Sequence, residues 1–404
     1  MNGPFSPSAA GPAIAIGQSG GATAAINASL AGVIAAAGES GAFPRILGMR
    51  NGVEGLLGQS FIDLAHLDAG TIEGLRRTPS SALGTGRYKL KDADLDRALD
   101  ILAVNGITAL VYIGGNDSAD TANRLAIHAA DRKQALQVIS VPKTVDNDLK
   151  QTDFCPGYPS LAKALATYVR DATWDTLAAP KLYPVKFIEV VGRDAGWVAA
   201  AGGLGFSDDE LAADLAPRIL LPEAPPTAEA VLAGVQEDIA LRGWTVVVVP
   251  ETLHQADGKH FGGETPEWID EFGHAYFASA GAALARLTTQ HLGIRARFEK
   301  PGSALRMAMA LASPVDLAMA WELGREAVAA LLRGETARMT ALEREGDEPY
   351  AARVTTVPVA AVANDVRHLN DEFIAHANRD GNVPFRRWAL PLLGDNAFLP
   401  YTRI

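Results

Sequence analysis

The chain has 404 residues, of which 48% are hydrophobic and 21% are charged, and its formal net charge is −11. A chain of this length exceeds one ordinary core and predicts two domains in a soluble globular protein. The negative net charge argues against nucleic acid or an anionic membrane as a partner, although a local group of arginines could still bind a phosphorylated small molecule.

Cysteine content and N-terminal sequence bear on where the protein is located. Cys155 is the only cysteine, which excludes a disulfide within the chain and favours a reducing compartment. No apolar run approaches the roughly 20 residues that a membrane-spanning helix needs. The N-terminal sequence lacks the basic start and the apolar core of a signal peptide. We therefore expect a loose leader on a cytoplasmic protein.

Short apolar strands alternate with glycine-bearing loops and Ala-rich or amphipathic helices. In chain order, strands are predicted at 13–16, 109–113, 137–141, 186–191 and 245–249, with helices at 23–37, at 119–130 and up to 201. This alternation predicts α/β domains with mostly parallel sheets that are covered by helices on both faces. In such sheets ligands bind beyond the carboxyl ends of the strands, where the polar loops of this chain lie.

Other segments predict boundaries and surface structure. The Cys155-Pro156-Gly157 sequence interrupts the pattern and indicates a domain boundary near 153–158. The strongly charged stretch 337–350 predicts a solvated helix or loop. The apolar pattern at 354–362 and the tail that follows it are expected to pack on the first domain.

Two early loops combine glycine with residues that suit phosphate and metal. Gly20 and Gly21 are expected to open a helix, whose first N–H groups would form an anion site; a tight turn without a ligand is the alternative. Asn116 and Asp117 follow two glycines, and their oxygens suit Mg²⁺. Asp117 or Ser118 could instead cap the helix that follows.

The loop after the strand at 137–141 contains a lysine and two carboxylates. On an extended loop, Asp146 and Asp148 would point the same way, so that one could act as a base on a sugar hydroxyl while the other works near a metal. Lys143 could neutralise phosphoryl charge that develops in the transition state. The alternative is an ordinary turn rich in Asp and Asn, which leaves Lys143 and Thr144 unexplained.

Charged residues also follow the later strands. Arg193 suits bidentate phosphate binding, with a surface salt bridge as the alternative. Glu251 could accept hydrogen bonds from sugar hydroxyls or could simply begin a helix. The remaining basic residues suit the anionic end of a substrate, or else form a solvated face: Arg87, Arg295, Arg297, Lys300 and Arg306.

Taken together and in order, these loops resemble the phosphofructokinase family over nearly the whole chain. The matching motifs are Ser19-Gly20-Gly21 with Ile26-Asn27, Gly84-Thr85-Gly86-Arg87, 114–118, 142–148, 191–197, Pro250-Glu251 and 301–306. The resemblance implies two Rossmann-like three-layer domains with the active site in the cleft between them. It implies a donor-binding domain from 1–155 plus about 310–404, and a sugar-phosphate-binding domain at about 156–309.

Within the family, the chain resembles the diphosphate-dependent branch. ATP-dependent members typically have glycine where Asp117 and Lys143 stand. A carboxylate at Asp117 would occupy and repel the place of the ATP α-phosphate, and Lys143 would compensate the charge of the shorter donor. The resemblance therefore implies reversible, Mg²⁺-dependent transfer of a phosphoryl group from diphosphate to the 1-hydroxyl of fructose 6-phosphate, in glycolysis or gluconeogenesis.

The resemblance also implies roles for individual residues. Asp146 is the expected proton acceptor, and the further expected catalytic residues are Lys143, Asp117 and Arg193. The expected donor contacts are Gly20, Gly21, Arg87 and Ser118. The expected sugar-phosphate contacts are Thr144, Val145, Asp148, Val191, Gly192, Glu251, Arg297, Ser303 and Arg306. The expected metal ligands are Asn116 and Asp148.

Several positions depart from the usual family residues, and they leave alternatives open. Asn116 stands where many members have Asp, and Val191 and Ser303 could reshape the sugar pocket. A seven-carbon ketose phosphate, sedoheptulose 7-phosphate, is therefore an alternative acceptor. The alternative functions are an ATP-dependent phosphofructokinase and a catalytically weakened sugar-phosphate sensor. The family forms dimers or tetramers, in which Arg193 or Arg297 would serve a neighbouring site.

Overall fold

The computed structural model describes residues 11–86, 88–269, 275–363, 365–378 and 380–402. Arg87, a predicted donor contact, lies outside the described residues. The chain divides into two compact units, each assembled from separate stretches. The first unit contains Met1–Thr144, Leu149–Gly157 and Pro314–Asp365, and the second contains Val145–Asp148, Tyr158–Ser313 and Val366–Ile404.

The elements of the described residues alternate between strand and helix for most of the chain. The strands are β1 Ala13–Gln18, β2 Arg45–Met49, β3 Phe61–Asp63, β4 Ile107–Gly114, β5 Gln137–Pro142, β6 Val185–Val190, β7 Arg218–Ile219, β8 Thr245–Pro250, β9 Trp268–Ile269, β10 Ala275–Tyr276, β11 Ala296–Glu299, β12 Arg338–Asp347 and β13 Tyr350–Pro358. The α-helices are α1 Ile26–Ser40, α2 Val53–Leu57, α3 Ala69–Arg76, α4 Asp92–Val104, α5 Asn116–Asp131, α6 Tyr158–Ala178, α7 Trp197–Ala201, α8 Asp208–Ala212, α9 Ala228–Arg242, α10 Ala280–Leu292, α11 Ser303–Arg306, α12 Pro314–Leu332, α13 Asp371–His376 and α14 Val383–Ala389. Short 3-10 helices cover Met309–Leu311, Val359–Ala361, Asp380–Asn382 and Leu390–Leu393.

The first unit is built on a sheet whose strand order, among the described residues, is β13-β12-β5-β4-β1-β2-β3. Its inner neighbours pair in parallel, and β13 and β3 run antiparallel at the two edges. Ala13 and Ala15 of β1 join a core that includes α4 and α5, as expected for alternate residues of one strand facing one helical layer. The loops that follow β1, β4 and β5 therefore leave the same edge of the sheet.

Two glycines allow α1 and α12 of the first unit to pack backbone against backbone. A methyl group added at Gly32 would lie 2.2 Å from the backbone oxygen of Trp321. One added at Gly324 would lie 2.2 Å from the backbone oxygen of Ser29. Larger residues would therefore push the helices apart, and α12 fixes the position of α1 behind the loop that follows β1.

The second unit is built on a smaller sheet with strand order β11-β6-β8-β7, all in parallel. Its central strands β6 and β8 are buried along their length, as expected for strands covered on both faces. The hairpin of β9 and β10 forms a separate antiparallel pair. The predicted α/β architecture with mostly parallel sheets is confirmed.

The C-terminal segment differs from the expectation that it packs on the first domain. Val366–Ile404 belongs to the second unit. The physical reason is aromatic packing, because Phe373, Phe385 and Trp388 surround Trp197, with ring centroids of Trp197 and Trp388 5.0 Å apart.

The prediction of a solvated helix or loop at 337–350 is wrong. Most of that stretch forms β12, which pairs in parallel with β5 over its first residues and in antiparallel with β13. Met339, Ala341 and Leu342 are buried in the first half of the strand, whereas its charged second half continues as a partly exposed hairpin. Charge alone therefore did not distinguish an extended hairpin from a loop. Among the described residues, no helix is long and apolar enough to span a membrane.

Candidate active site

A buried polar network holds the end of β1. The amide nitrogen of Gln18 donates to Oδ1 of Asn27 at 2.9 Å, and both side chains are fully buried. Oε1 of Gln18 accepts hydrogen bonds from Ser81 Oγ at 2.8 Å and from the Leu83 N–H at 3.0 Å. Nδ2 of Asn27 donates to the Thr78 carbonyl at 2.9 Å. Because satisfied buried networks are rigid, segment 78–83 is fixed beside this strand end. Gln18 was not singled out from the sequence, where it reads as one polar residue ending an apolar strand.

The predicted phosphate loop at Gly20 and Gly21 has a different relation to the helix from the one expected. Helix α1 begins at Ile26, three residues later than predicted, so the glycine pair precedes the helix but does not lie in its first turn. Thr23 intervenes, and its hydroxyl accepts the N–H of Ile26 at 3.0 Å. Gly20 has φ 77°, a conformation that favours glycine. Its carbonyl accepts a hydrogen bond from Thr85 Oγ1 at 2.6 Å, which joins the Gly84-Thr85-Gly86 motif to this loop.

Lys143 lies against the same loop. Its side chain is buried, with the residue only 2% exposed, and its Nζ donates to the Gly21 carbonyl at 2.8 Å. Its own N–H donates to the Gly114 carbonyl at 2.9 Å. A buried ammonium is costly unless hydrogen bonds compensate the lost water, and here a backbone oxygen does so. The structure therefore brings the loops after β1, β4 and β5 together around one positive charge.

Asn116, Asp117 and Ser118 form the first turn of α5. The residue before the helix is Gly115 and no side chain caps it, so the alternative that Asp117 or Ser118 is the cap is wrong. A carboxylate in the first turn is stabilised by the helix dipole. Oδ1 of Asp117 lies 3.5 Å from Nζ of Lys89, a residue that was not singled out from the sequence. The sequence signal for Lys89 was its position two residues after the Gly84-Thr85-Gly86-Arg87 motif.

The loop that contains Asp146 and Asp148 is bent. Asn147 between them is buried and has φ 55°, so the prediction that an extended loop points both carboxylates the same way is wrong. Both Asp side chains are partly buried. The Asp148 carbonyl accepts the N–H of Arg367 at 2.7 Å, which anchors Val145–Asp148 within the second unit. The Thr144 N–H donates to the Pro156 carbonyl at 3.2 Å within the first unit.

In the second unit, a carboxylate inside β6 organises the neighbouring loops. Glu189 is 1% exposed, and its Oε1 lies 2.7 Å from Nζ of Lys300. Its Oε2 accepts hydrogen bonds from Ser279 Oγ at 2.6 Å and from the Gly281 N–H at 2.9 Å. Glu189 was missed from the sequence, although a glutamate within an apolar strand was a usable signal, since buried carboxylates need partners.

Glu251 and Arg193 lie at the ends of two adjacent strands. The Glu251 N–H donates to the Val190 carbonyl at 2.9 Å, and the Arg193 carbonyl accepts from Thr252 Oγ1 at 3.0 Å. Burial raises the pKa of Glu251, while the positive charges of Lys300 and Arg193 oppose that rise in part. Gly192 has φ 105°, so glycine is required to turn the chain between the strand and Arg193.

The later predicted phosphate contacts lie on β11 and α11. Arg306 ends α11, and its Nε is buried without a hydrogen-bond partner among the described residues. The Arg297 guanidinium carbon lies 3.2 Å from the centroid of the Tyr183 ring, a cation–π contact. Ser303 is exposed at the start of α11, and Val191 packs against the core of the second unit. A guanidinium with a buried, unsatisfied donor suits an anionic ligand.

Oxygen atoms dominate the groups that could bind a metal. Among the described residues, no cluster of three or more His, Cys, Asp or Glu could hold a metal ion. Asn116 and Asp117 offer oxygens in the first unit, and Asp146 and Asp148 offer them in the second. Mg²⁺ is typically held by one or two carboxylates together with water and substrate phosphates. In each unit, separately, these oxygens are of the kind that Mg²⁺ accepts as ligands.

Comparison with known proteins identifies the family. Residues 13–331 match the phosphofructokinase family model. The chain is 39% identical over 391 residues to the pyrophosphate–fructose 6-phosphate 1-phosphotransferase of Xanthomonas campestris, spanning 95% of this chain and 92% of that one. It is 37% identical over 394 residues to the protein of the same name from Methylococcus capsulatus, spanning 95% and 92%. The crystal structure of a pyrophosphate-dependent phosphofructokinase from Nitrosospira multiformis matches with a TM-score of 0.85 and 34% identity, over 98% of this chain and 94% of that chain. The chain therefore belongs to the phosphofructokinase family.

Proposed function

We propose that this protein transfers a phosphoryl group reversibly from diphosphate to the 1-hydroxyl of fructose 6-phosphate, giving fructose 1,6-bisphosphate and phosphate. The observation that supports this most directly is the position of Lys143, whose Nζ lies 2.8 Å from the Gly21 carbonyl. Here a lysine fills space beside the phosphate loop, and Asp117 stands at the first turn of α5. Both features suit a short, highly charged donor better than a nucleotide. The relatives named above as pyrophosphate-dependent support the same donor.

In the proposed reaction, Asp146 accepts the proton of the 1-hydroxyl as that oxygen attacks the terminal phosphorus. The bond from that phosphorus to the bridging oxygen breaks, and phosphate leaves. Lys143 stabilises the negative charge that shifts to the leaving group, which is the main catalytic task in phosphoryl transfer. Since the bonds broken and formed are close in energy, the reaction runs in both directions. The carboxylate of Asp146 is a strong enough base, because the attacking hydroxyl loses its proton late in a loose transition state.

The donor contacts in this proposal lie in the first unit. Gly20 and Gly21 offer backbone N–H groups, Ser118 offers a hydroxyl, and Arg87 is retained from the sequence prediction. Mg²⁺, when bound, would offset phosphate charge, with Asn116 and Asp148 as proposed ligands and Asp117 able to share that work. The donor domain was predicted as 1–155 plus about 310–404, whereas Val366–Ile404 belongs to the second unit. That the donor binds to the first unit stays a prediction.

The acceptor contacts lie in the second unit, except for Thr144. Arg306, Arg193 and Arg297 supply positive charge for the 6-phosphate, and Glu251 accepts hydrogen bonds from sugar hydroxyls. Val145, Asp148, Val191, Gly192 and Ser303 complete the proposed contacts. Val191 and Ser303 differ from the residues that the family usually has at these positions and could reshape the sugar pocket. Sedoheptulose 7-phosphate therefore stays an alternative acceptor. A cytoplasmic location and a homodimeric or homotetrameric assembly also stay predictions.

The test is a donor and acceptor profile of the purified protein with Mg²⁺. Initial rates would be measured with diphosphate and with ATP, each against fructose 6-phosphate and sedoheptulose 7-phosphate. We expect strong activity with diphosphate and little with ATP. Strong activity with ATP and none with diphosphate would contradict the proposal and favour the ATP-dependent alternative. Binding of sugar phosphate without turnover of either donor would favour the sensor.

A further inference from the structure

We propose that Lys89 determines donor use by balancing the charge of Asp117, so that diphosphate can bind beside a carboxylate. This inference rests on the proposed function. Nζ of Lys89 lies 3.5 Å from Oδ1 of Asp117, a contact that the sequence did not predict. The pair belongs to the first unit, on the side of the sheet where the loops after β1, β4 and β5 meet.

The need for Lys89 follows from charge. At neutral pH diphosphate is a compact polyanion, and a carboxylate close to it repels it strongly where water is partly excluded. An ATP-sized donor is rejected by Asp117, but the same repulsion acts on diphosphate unless a cation offsets it. Lys143 donates to the Gly21 carbonyl and, in the proposed reaction, stabilises the charge on the leaving phosphate. Lys89 lies at ion-pair distance from Asp117 and can offset its charge.

The backbone around Lys89 is anchored, so its side chain extends from a fixed position of the chain. Tyr88 Oη donates to Asp94 at 2.7 Å, and Leu90 is 1% exposed, with its carbonyl accepting from Arg124. Further back in the segment, Thr85 contacts the Gly20 carbonyl at 2.6 Å. The residues flanking Lys89 are therefore tied to the protein while its side chain stays accessible.

The exposure of the pair argues that stability is not its main role. The side chains of Lys89 and Asp117 are 43% and 31% exposed. Exposed ion pairs contribute little to folding, because water screens them and both side chains lose freedom. An accessible ammonium can also shift toward an incoming phosphate oxygen at little cost. A charge pair that matters little for folding and lies at the donor loops fits a role in donor binding.

A double-mutant cycle tests this proposal. Lys89→Met, Asp117→Asn and the double variant would be compared with the wild type for KM of diphosphate, KM of fructose 6-phosphate and direct binding of diphosphate by calorimetry. We expect Lys89→Met to raise the KM of diphosphate roughly ten- to hundredfold, with the KM of the sugar within about twofold. Adding Asp117→Asn should reverse most of that loss, and Lys89→Arg should retain most of the binding.

Matched controls separate charge balance from a general loss of positive charge. Nζ of Lys150 lies 2.6 Å from Asp365 in the same unit, at similar exposure, so Lys150→Met should leave both KM values unchanged. An unchanged KM of diphosphate in Lys89→Met overturns the inference but leaves the proposed function standing. An equal loss with and without Asp117 also overturns it, because Lys89 would then act independently of the carboxylate. If the wild type neither binds nor uses diphosphate, the proposed function and the inference both fail.

Discussion

The two units fix their charged side chains in different ways. In the first unit, the ammonium of Lys143 is buried and bonded to a backbone carbonyl. In the second unit, side chains balance one another: Glu189 pairs with Lys300, and burial raises the pKa of Glu251 against the opposing charges of Lys300 and Arg193. A charged group that is hydrogen bonded to a backbone carbonyl does not depend on the protonation of that partner. A charged group that is paired with other charged side chains responds to pH and to an incoming charge. Donor use should therefore depend on the buried charge of Lys143 as well as on the exposed Lys89–Asp117 pair, and acceptor binding should depend on the balance among buried charges.

The largest expected effect is at Asp146. Asp146→Ala removes the proposed proton acceptor and should lower kcat by roughly 10²- to 10⁴-fold, the scale on which general bases contribute. Steady-state kinetics with diphosphate and fructose 6-phosphate measure it. Asp257→Ala, in an exposed turn of the second unit, is the control and should retain normal kcat. A fall of less than tenfold in Asp146→Ala would show that Asp146 is not the proton acceptor.

The next effect concerns donor choice. Asp117→Gly combined with Lys143→Gly should lower kcat/KM for diphosphate by roughly 10²- to 10³-fold, because a buried group that stabilises transferred charge is lost. The KM of fructose 6-phosphate should stay nearly constant, and some ATP activity should appear. Rates with both donors in one assay measure the change. Full retention of diphosphate activity would show that the first unit does not select the donor in this way.

A smaller effect is expected for acceptor binding at Arg306. Arg306→Met removes the guanidinium whose Nε is buried without a partner among the described residues. The KM of fructose 6-phosphate should rise roughly ten- to hundredfold, as expected when a phosphate loses a charged hydrogen-bonding partner, with the KM of diphosphate unchanged. Arg286→Met, an exposed arginine on α10, should change neither value. Equal rises in both KM values would remove the distinction between the two units.

The smallest expected effect is a pH dependence at Glu251. Because burial raises its pKa, Glu251 should become protonated at a higher pH than ordinary carboxylates as the medium is acidified. Loss of the hydrogen-bond acceptor would then raise the KM of fructose 6-phosphate. A profile of that KM from about pH 5 to 8 measures it, and Glu251→Gln should flatten the profile while raising KM throughout. A wild-type profile that is already flat would contradict the expectation.

The same shift predicts the sign of a stability effect. A carboxyl whose pKa is higher in the folded state contributes most to stability below the unfolded pKa, and that contribution is lost as pH rises through the folded pKa. Glu251→Gln should therefore unfold at a higher temperature than the wild type near pH 7, and this difference should shrink below about pH 4. Thermal unfolding at several pH values measures it. A less stable variant at pH 7 would mean that the charges of Lys300 and Arg193 outweigh burial.

The sequence predicted the strand-end loops because each follows a short apolar run, and that pattern depends only on neighbouring residues. It did not predict which loops meet. The contact between Lys143 and Gly21, and that between Lys89 and Asp117, join residues far apart in the chain. The bend at Asn147 was also missed, because a left-handed asparagine looks the same in sequence as an extended one.

The buried carboxylate and the C-terminal segment show a second kind of limit. Glu189 looks like an interruption of an apolar strand until its three partners are placed around it. Phe373, Phe385 and Trp388 have the composition of a core, but the sequence does not state which core they join. Local pattern therefore predicts element type, and long-range packing decides where each element belongs.

The order in which the chain crosses between the units has a consequence for biosynthesis. The sheet of the first unit gains β12 beside β5 only after 338–347 have been made, and α1 gains its glycine-mediated contact only with α12. Residues 158–313 of the second unit are synthesised before β12 and α12. During that time the edge of β5 is unpaired and α1 lacks its partner helix. A ribosome-bound chain ending before residue 314 should therefore be sensitive to proteolysis in its N-terminal part, and neither unit is expected to be obtained as a simple contiguous fragment.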